Sequence, residues 1–305
     1  MRKLMMLAAV AVAGMGWVLP ASAAKPYTAA AEVADGAVPE VTQRVKAAVE
    51  EAGFEVAGSY HPLGKDRLAV VSVTDPAILD AIRQRPETEK GGLPIFGAAL
   101  RVGIRRPEDK AAVEVSFTNP TYWTHAYFQS HYGEVKGAAE DAESRLLDAL
   151  QGLGEARSET YGGEVAELDH YHYMMFMPYL EDHIRLAGHE DFTTALEAVR
   201  SGLADSASGV SQVYEVVMED KGMAVFGVAL EDPDKGAPTW FPKLIERHVA
   251  ALPYEVAVVD GNVYMAHGRF RIALGWPELT MATFGDIMSA PGDTKTILEA
   301  VAGGS

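Results

Sequence analysis

The sequence has no cysteine, and that absence removes several chemistries at once. No disulfide can form, so stability must come from buried apolar area rather than cross-links. There is no thiol nucleophile, no ligand set for an iron–sulfur cluster and no CxxCH for covalent attachment of haem. Any soft metal ligand has to be methionine or histidine. Positive charge is scarce as well: 26 Lys and Arg stand against 43 Asp and Glu, a formal charge of −17. Such a chain repels phosphate, which disfavours nucleic acid and anionic lipid as partners, but it tolerates cations, metal ions included. Also missing are an HExxH zinc helix, a GxSxG elbow, a GxxxxGK[ST] phosphate loop and a GxGxxG turn. No catalytic group can be assigned from the residues alone.

Long apolar runs are confined to the start. Arg2 and Lys3 precede the run Leu4 to Leu19, and Ala21-Ser22-Ala23 supplies small residues at a cleavage position. This is the pattern of a secretory signal peptide over residues 1–23. The run is shorter than the roughly 20 residues a membrane span requires, and no cysteine is available for lipidation. The expectation is a periplasmic or secreted protein without an integral span, made more acidic by the loss of Arg2 and Lys3.

After an extended lead-in, the chain carries alternating helix and strand patterns. Val41, Val45, Ala48 and Ala52 recur at helical spacing and Gly53 ends the run. Phe54 to Tyr60 and Leu68 to Val73 read as strands, the second with both faces covered. Asp75-Pro76 caps a short helix. Ile95 to Ile104 and Ala112 to Phe117 read as two further strands. The order recurs later: a helix on Phe192, Leu196, Val199 and Leu203; strands at Val210 to Met218 and Met223 to Leu230; a helix from Trp240 to Ala250; a strand from Tyr254 to Val259. The Asp260-Gly261 turn then leads to a closing strand from Val263 to Trp276. The fold class is therefore α+β, with two duplicated α-β-β-α-β-β units, largely antiparallel sheets and helices on one face. The expected segments are a first unit over 39–135, a middle helix and His/Met-rich connector over 136–190, a second unit over 191–290 and a tail helix in 291–305. The exposed sheet faces would be covered by packing the halves together as an intramolecular pseudo-dimer, or by a homodimer.

Three short motifs in the first unit carry a family resemblance. Ala52-Gly53-Phe54-Glu55-Val56, Thr74-Asp75-Pro76 and Gly92-Leu93-Pro94 resemble domain of unknown function family 302 over roughly residues 39–120, with the second unit a diverged echo. The resemblance implies a small α+β domain that tends to pair with a copy of itself, which a tandem would achieve within one chain. It implies no established activity. Family members often carry cysteines at the positions held here by Thr74 and Ile95, so a thiol-dependent role does not transfer.

Three constellations could carry chemistry. In Asp169-His170-Tyr171-His172-Tyr173-Met174, strand geometry would put His170, His172 and Met174 on one face, and His183 could join them after the turn at Pro178. Two imidazoles and a thioether suit copper or a non-covalently held haem; packing of an aromatic linker is the alternative. Trp123, His125 and Tyr127 lie in an aromatic stretch where Trp123 and Tyr127 share a helix face. That strip could wall a flat-ligand pocket, form a subunit interface, or be core. On the closing strand, period two would align His267, Arg269 and Arg271 to grip an anionic small ligand; the alternative is ion pairing with Glu255 or Glu215. The best expectation is an exported metal- or haem-binding protein. A self-associating structural module, or an enzyme with a site between the units that uses His125 or His267, remains open.

Overall fold

The computed structural model describes residues 24–303 apart from 89, 166, 173–177 and 206–208; the segment expected to be a signal peptide and Met174 lie outside the described residues. The chain is α+β. Its elements run β1 (Tyr27–Val33), α1 (Val38–Glu51), β2 (Glu55–Tyr60), β3 (Leu68–Thr74), α2 (Pro76–Gln84), β4 (Ala99–Arg105), β5 (Val113–Thr118), α3 (Pro120–Phe128), α4 (Tyr132–Gln151), β6 (Glu155–Ala156) and β7 (Thr160–Tyr161). The second half continues with β8 (Ile184–Gly188), α5 (Phe192–Ala204), β9 (Val210–Met218), β10 (Met223–Leu230), α6 (Ala237–Trp240), β11 (Tyr254–Val259), β12 (Asn262–Met265), α7 (Gly268–Gly275), α8 (Met281–Asp286) and α9 (Ala290–Val301). Among the described residues no helix is long and apolar enough to cross a membrane.

Local chemistry explains the main elements. In α1, Val38, Val41, Val45 and Val49 form one buried stripe, and Gly53 closes the helix at φ +87°. The Asp75 carboxylate accepts from the backbone N–H of Ala77 and Ile78, both at 3.0 Å, and so caps α2. The first sheet has the order β2-β3-β4-β5-β1-β6, with β7 also pairing β1; the second runs β8-β12-β11-β10-β9. All the pairings are antiparallel. The element order helix, strand, strand, helical segment, strand, strand occurs in both halves.

Each half supplies a short helical segment that covers the other half's sheet. Residues 94–97 of the first half pack on β10 and β11, and residues 246–251 of the second pack on β3, β4 and β5. All seven residues of β3 are buried, because α1 and the 246–251 segment both rest on it. Two glycines permit the approach. A Cβ on Gly58 in β2 would sit 1.9 Å from the Val213 carbonyl oxygen of β9, and one on Gly103 in β4 would sit 2.9 Å from Val249 Cγ1.

Three sequence expectations are corrected. The lead-in contains β1, which sits between β5 and the β6/β7 pair. The helix expected from Trp240 to Ala250 is broken: α6 ends at Trp240, Pro242 lies in a short 3₁₀ turn, and Leu244 is extended at ψ 173° before a second such turn at Glu246–Ala251. The closing strand stops at Met265, and His267, Arg269 and Arg271 belong to the start and body of α7. Nearly every residue of α7 is buried. A helix buried all round shows no 3.6-residue stripe, so Phe270, Ile272 and Leu274 mimicked a strand alternation.

Candidate functional site

At the join of the halves lies a buried ionic cluster. Arg101 of β4, Glu255 of β11 and Arg271 of α7 are each 2 % exposed or less. Arg101 Nη1 donates to Glu255 Oε1 at 2.5 Å; Arg271 Nε donates to Oε2 at 2.6 Å and Arg271 Nη2 to Oε1 at 2.9 Å. Backbone carbonyls take more of the guanidinium protons: Ala250 O from Arg101 at 3.1 Å and Ala251 O from Arg271 at 2.6 Å. Trp123 lies against both cations, with the guanidinium carbons 4.8 and 4.9 Å from its ring. Its indole N–H donates to Pro26 O at 3.0 Å. Tyr127 is buried beside the cluster, and burial pushes its phenol pKa well up.

This settles where three of the expected ligand-binding residues stand. Trp123, Tyr127 and Arg271 are packed interior, and Arg271 pairs with Glu255. Helical spacing separates the basic groups of α7: Arg269 is exposed while Arg271 is buried. His267 is half-buried, with its pKa lowered by burial and then by Arg269. His125 is on the surface side of α3, where its Nε2 meets Asp169 Oδ1 at 2.7 Å and its ring stacks on Tyr132 at 4.2 Å.

The histidines of the connector divide. His183 Nε2 accepts the Leu93 backbone N–H at 3.1 Å, so the proton of the neutral ring sits on Nδ1, an atom closed off from solvent without a partner among the described residues. Burial pushes its pKa down to about 4. His170 is different. Its Nδ1 is hydrogen-bonded to Oε1 of Glu181, a residue only 4 % exposed, and its ring stacks on Tyr179 at 3.6 Å. His172 packs against the same Tyr179 ring at 4.9 Å. His170 and His172 line a pocket of about 340 Å³ together with Glu164, Glu167 and Tyr171.

Glu181 is itself held from behind. Gln129 Nε2 donates to Glu181 Oε2 at 3.0 Å, Thr88 Oγ1 donates to Gln129 Oε1 at 3.0 Å, and the Gly92 N–H donates to Thr88 Oγ1 at 2.8 Å. Gln129 adopts φ +56°, ψ −128°, a region that costs a non-glycine residue about 1–3 kcal/mol. The outcome is an imidazole fixed in orientation and tautomer, with the proton on Nδ1 and the lone pair on Nε2. Glu181 lies two residues before His183, yet its carboxylate meets His170. Nothing in the sequence marked Gln129 or Thr88. Among the described residues no group of three or more His, Asp or Glu side chains stands at metal-binding spacing.

No protein-family model matches the sequence, and no curated protein does. Among solved structures the chain is similar to the crystal structure of the uncharacterized conserved protein DUF302 from Bacillus stearothermophilus. That likeness has 14% identity and a TM-score of 0.31, and covers 39% of this chain and 93% of the other.

Proposed function

We propose that the protein is an exported metal-handling protein that binds a borderline transition-metal ion, copper foremost, at His170 and His172. The observation that carries this reading is the buried Glu181 carboxylate on His170 Nδ1. A carboxylate so placed raises the ligand strength of the outward imidazole nitrogen, and this pairing accompanies metal-ligating histidines generally. His172 shares the pocket, and Glu164 and Glu167 are exposed carboxylates on its rim. Coordination requires these surface side chains to turn inward around the fixed His170. A volume of about 340 Å³ lies at the lower end of the range for ligand pockets and suits an ion better than a haem macrocycle.

The test is a copper(II) titration of the purified protein by calorimetry and visible absorption, with elemental analysis of protein recovered from the periplasm. Uptake of one ion that is lost in His170→Ala and His172→Ala supports the reading. No uptake, or uptake unchanged in both variants, removes it. The rival in which Trp123 and Tyr127 form a self-association surface is opposed by their burial, each being 2 % exposed.

A further inference from the structure

A second cleft, lined by none of the connector histidines, has a volume of about 520 Å³. Its floor is the face of β1 and β5, where Ala29, Ala31 and Ser116 are too small to fill the space above the sheet. One wall is the 246–251 segment of the second half; the other is the chain from β6 to β7. Four basic and four acidic side chains line it, and they are interleaved. Arg105 bonds Glu114 at 2.6 Å and Glu246 at 2.9 Å, and Arg157 bonds Glu32 at 3.0 Å. An ion pair joins the two walls: Arg247 Nη2 to Glu159 Oε2 at 3.2 Å. The Arg247 guanidinium also lies 3.9 Å over the Tyr161 ring.

We propose that this cleft binds a small zwitterion, a free amino acid or a dipeptide. The lining excludes the simpler classes. Equal numbers of cations and anions give no net field for a polyanion or polycation, and the charged walls offer a purely apolar ligand no driving force. A molecule carrying both a carboxylate and an ammonium group matches the alternation. It binds by exchanging partners between the walls: its carboxylate takes the place of Glu159 on Arg247, and its ammonium takes the place of Arg247 on Glu159. The pair it displaces is 38% and 68% exposed, and exposed pairs of that kind contribute little. The two new contacts are charge-assisted and stand in place of one.

The test is calorimetric titration of the full chain with individual free L-amino acids and unblocked dipeptides, set against the same compounds N-acetylated or C-amidated. Free zwitterions are expected to bind, and removal of either charge is expected to weaken binding about tenfold or more. Glu159→Gln, at a position 68% exposed and so harmless to the fold, is expected to weaken the parent ligand by a similar factor. Copper uptake of that variant should be unchanged, which keeps this result separate from the fate of the metal reading. The proposal is overturned if no zwitterion binds, if blocked compounds bind equally well, if Glu159→Gln binds like the parent, or if neutral sugars bind in their place.

Discussion

Replacing Glu255 with glutamine tests the electrostatics of the join directly. Glu255 is fully buried and receives three N–H bonds from two guanidinium groups. The cluster of Arg101, Glu255 and Arg271 thus has two formal positive charges and one negative. Glutamine conserves the shape, but it removes the only carboxylate and turns an NH₂ group toward an arginine that can only donate. Two buried cations then face each other without a counter-charge. Breaking a buried pair in this way costs about 3–5 kcal/mol, and for a chain of this size that corresponds to a fall in Tm of roughly 10 °C. The opposite change predicts an asymmetry. Arg101→Met removes one cation and leaves a neutral Arg271–Glu255 pair, so it should cost less than Glu255→Gln. Arg271→Met should fall nearer the glutamate variant, because Arg271 makes two of the three bonds to Glu255 and donates to two carbonyls, those of Ala251 and Pro253, where Arg101 donates to one. Urea unfolding followed by tryptophan fluorescence reads all three, since Trp123 lies against both guanidinium groups. A Glu255→Gln midpoint within about 1 kcal/mol of the parent, or a larger loss in Arg101→Met, would refute the reasoning.

Three further outcomes follow from the geometry. His183 titrates near pH 4 in the fold against 6.5 as its ordinary value, so the unfolded chain binds its proton first. Its contribution is fully present above pH 6.5 and is lost as pH falls toward 4, by about 3 kcal/mol in total; a His183→Gln variant with the same acid-side slope in denaturant midpoints would contradict this. Gly58→Ala places a Cβ 1.9 Å from a backbone oxygen that cannot rotate away and should cost about 2–3 kcal/mol, checked by chemical denaturation, with an unchanged midpoint as the contrary result. Gln129→Ala leaves Glu181 and Thr88 without their shared partner while keeping an L side chain at positive φ. It should weaken copper binding about 10-fold or more, and Gln129→Gly should be the more stable of the two variants; equal stabilities would argue against backbone strain there.

Much of the scaffold can be read from residue order because its causes are local. The valine stripe of α1, the Asp75-Pro76 cap of α2 and the nearly continuous apolar run of β3 each lie within a few residues of the feature they determine. β1 escaped because Ala29-Ala30-Ala31 has little strand preference, and its place depends on β5, more than eighty residues away. The break after Trp240 was visible in Pro242, but the apolar spacing of Leu244, Ile245, His248 and Val249 suggested a continuous helix. The site was legible only in part. His170 and His172 stand out as ligand-type side chains in a short stretch. Their supports do not, because Thr88, Gln129 and Glu181 come from separate segments, and two of the three are uncharged residues of common type.

The cost of that support bears on what it is for. A carboxylate buried at the end of a polar chain, held by a residue in a strained backbone conformation, is a poor way to stabilise a connector. Apolar side chains of similar volume would pack as well without the desolvation penalty. Such arrangements persist where the surrounding structure over-determines them, as Thr88 and Glu181 do here for Gln129. The donations run from the Gly92 amide through Thr88 and Gln129 to the Glu181 carboxylate, which on its other oxygen meets one ring nitrogen of His170. At the surface it fixes a ring that lines a pocket together with a second histidine and two carboxylates. A carboxylate that fixes one imidazole in this way is an arrangement common to metal ligands, and the copper titration of His170→Ala decides between that proposal and simple packing.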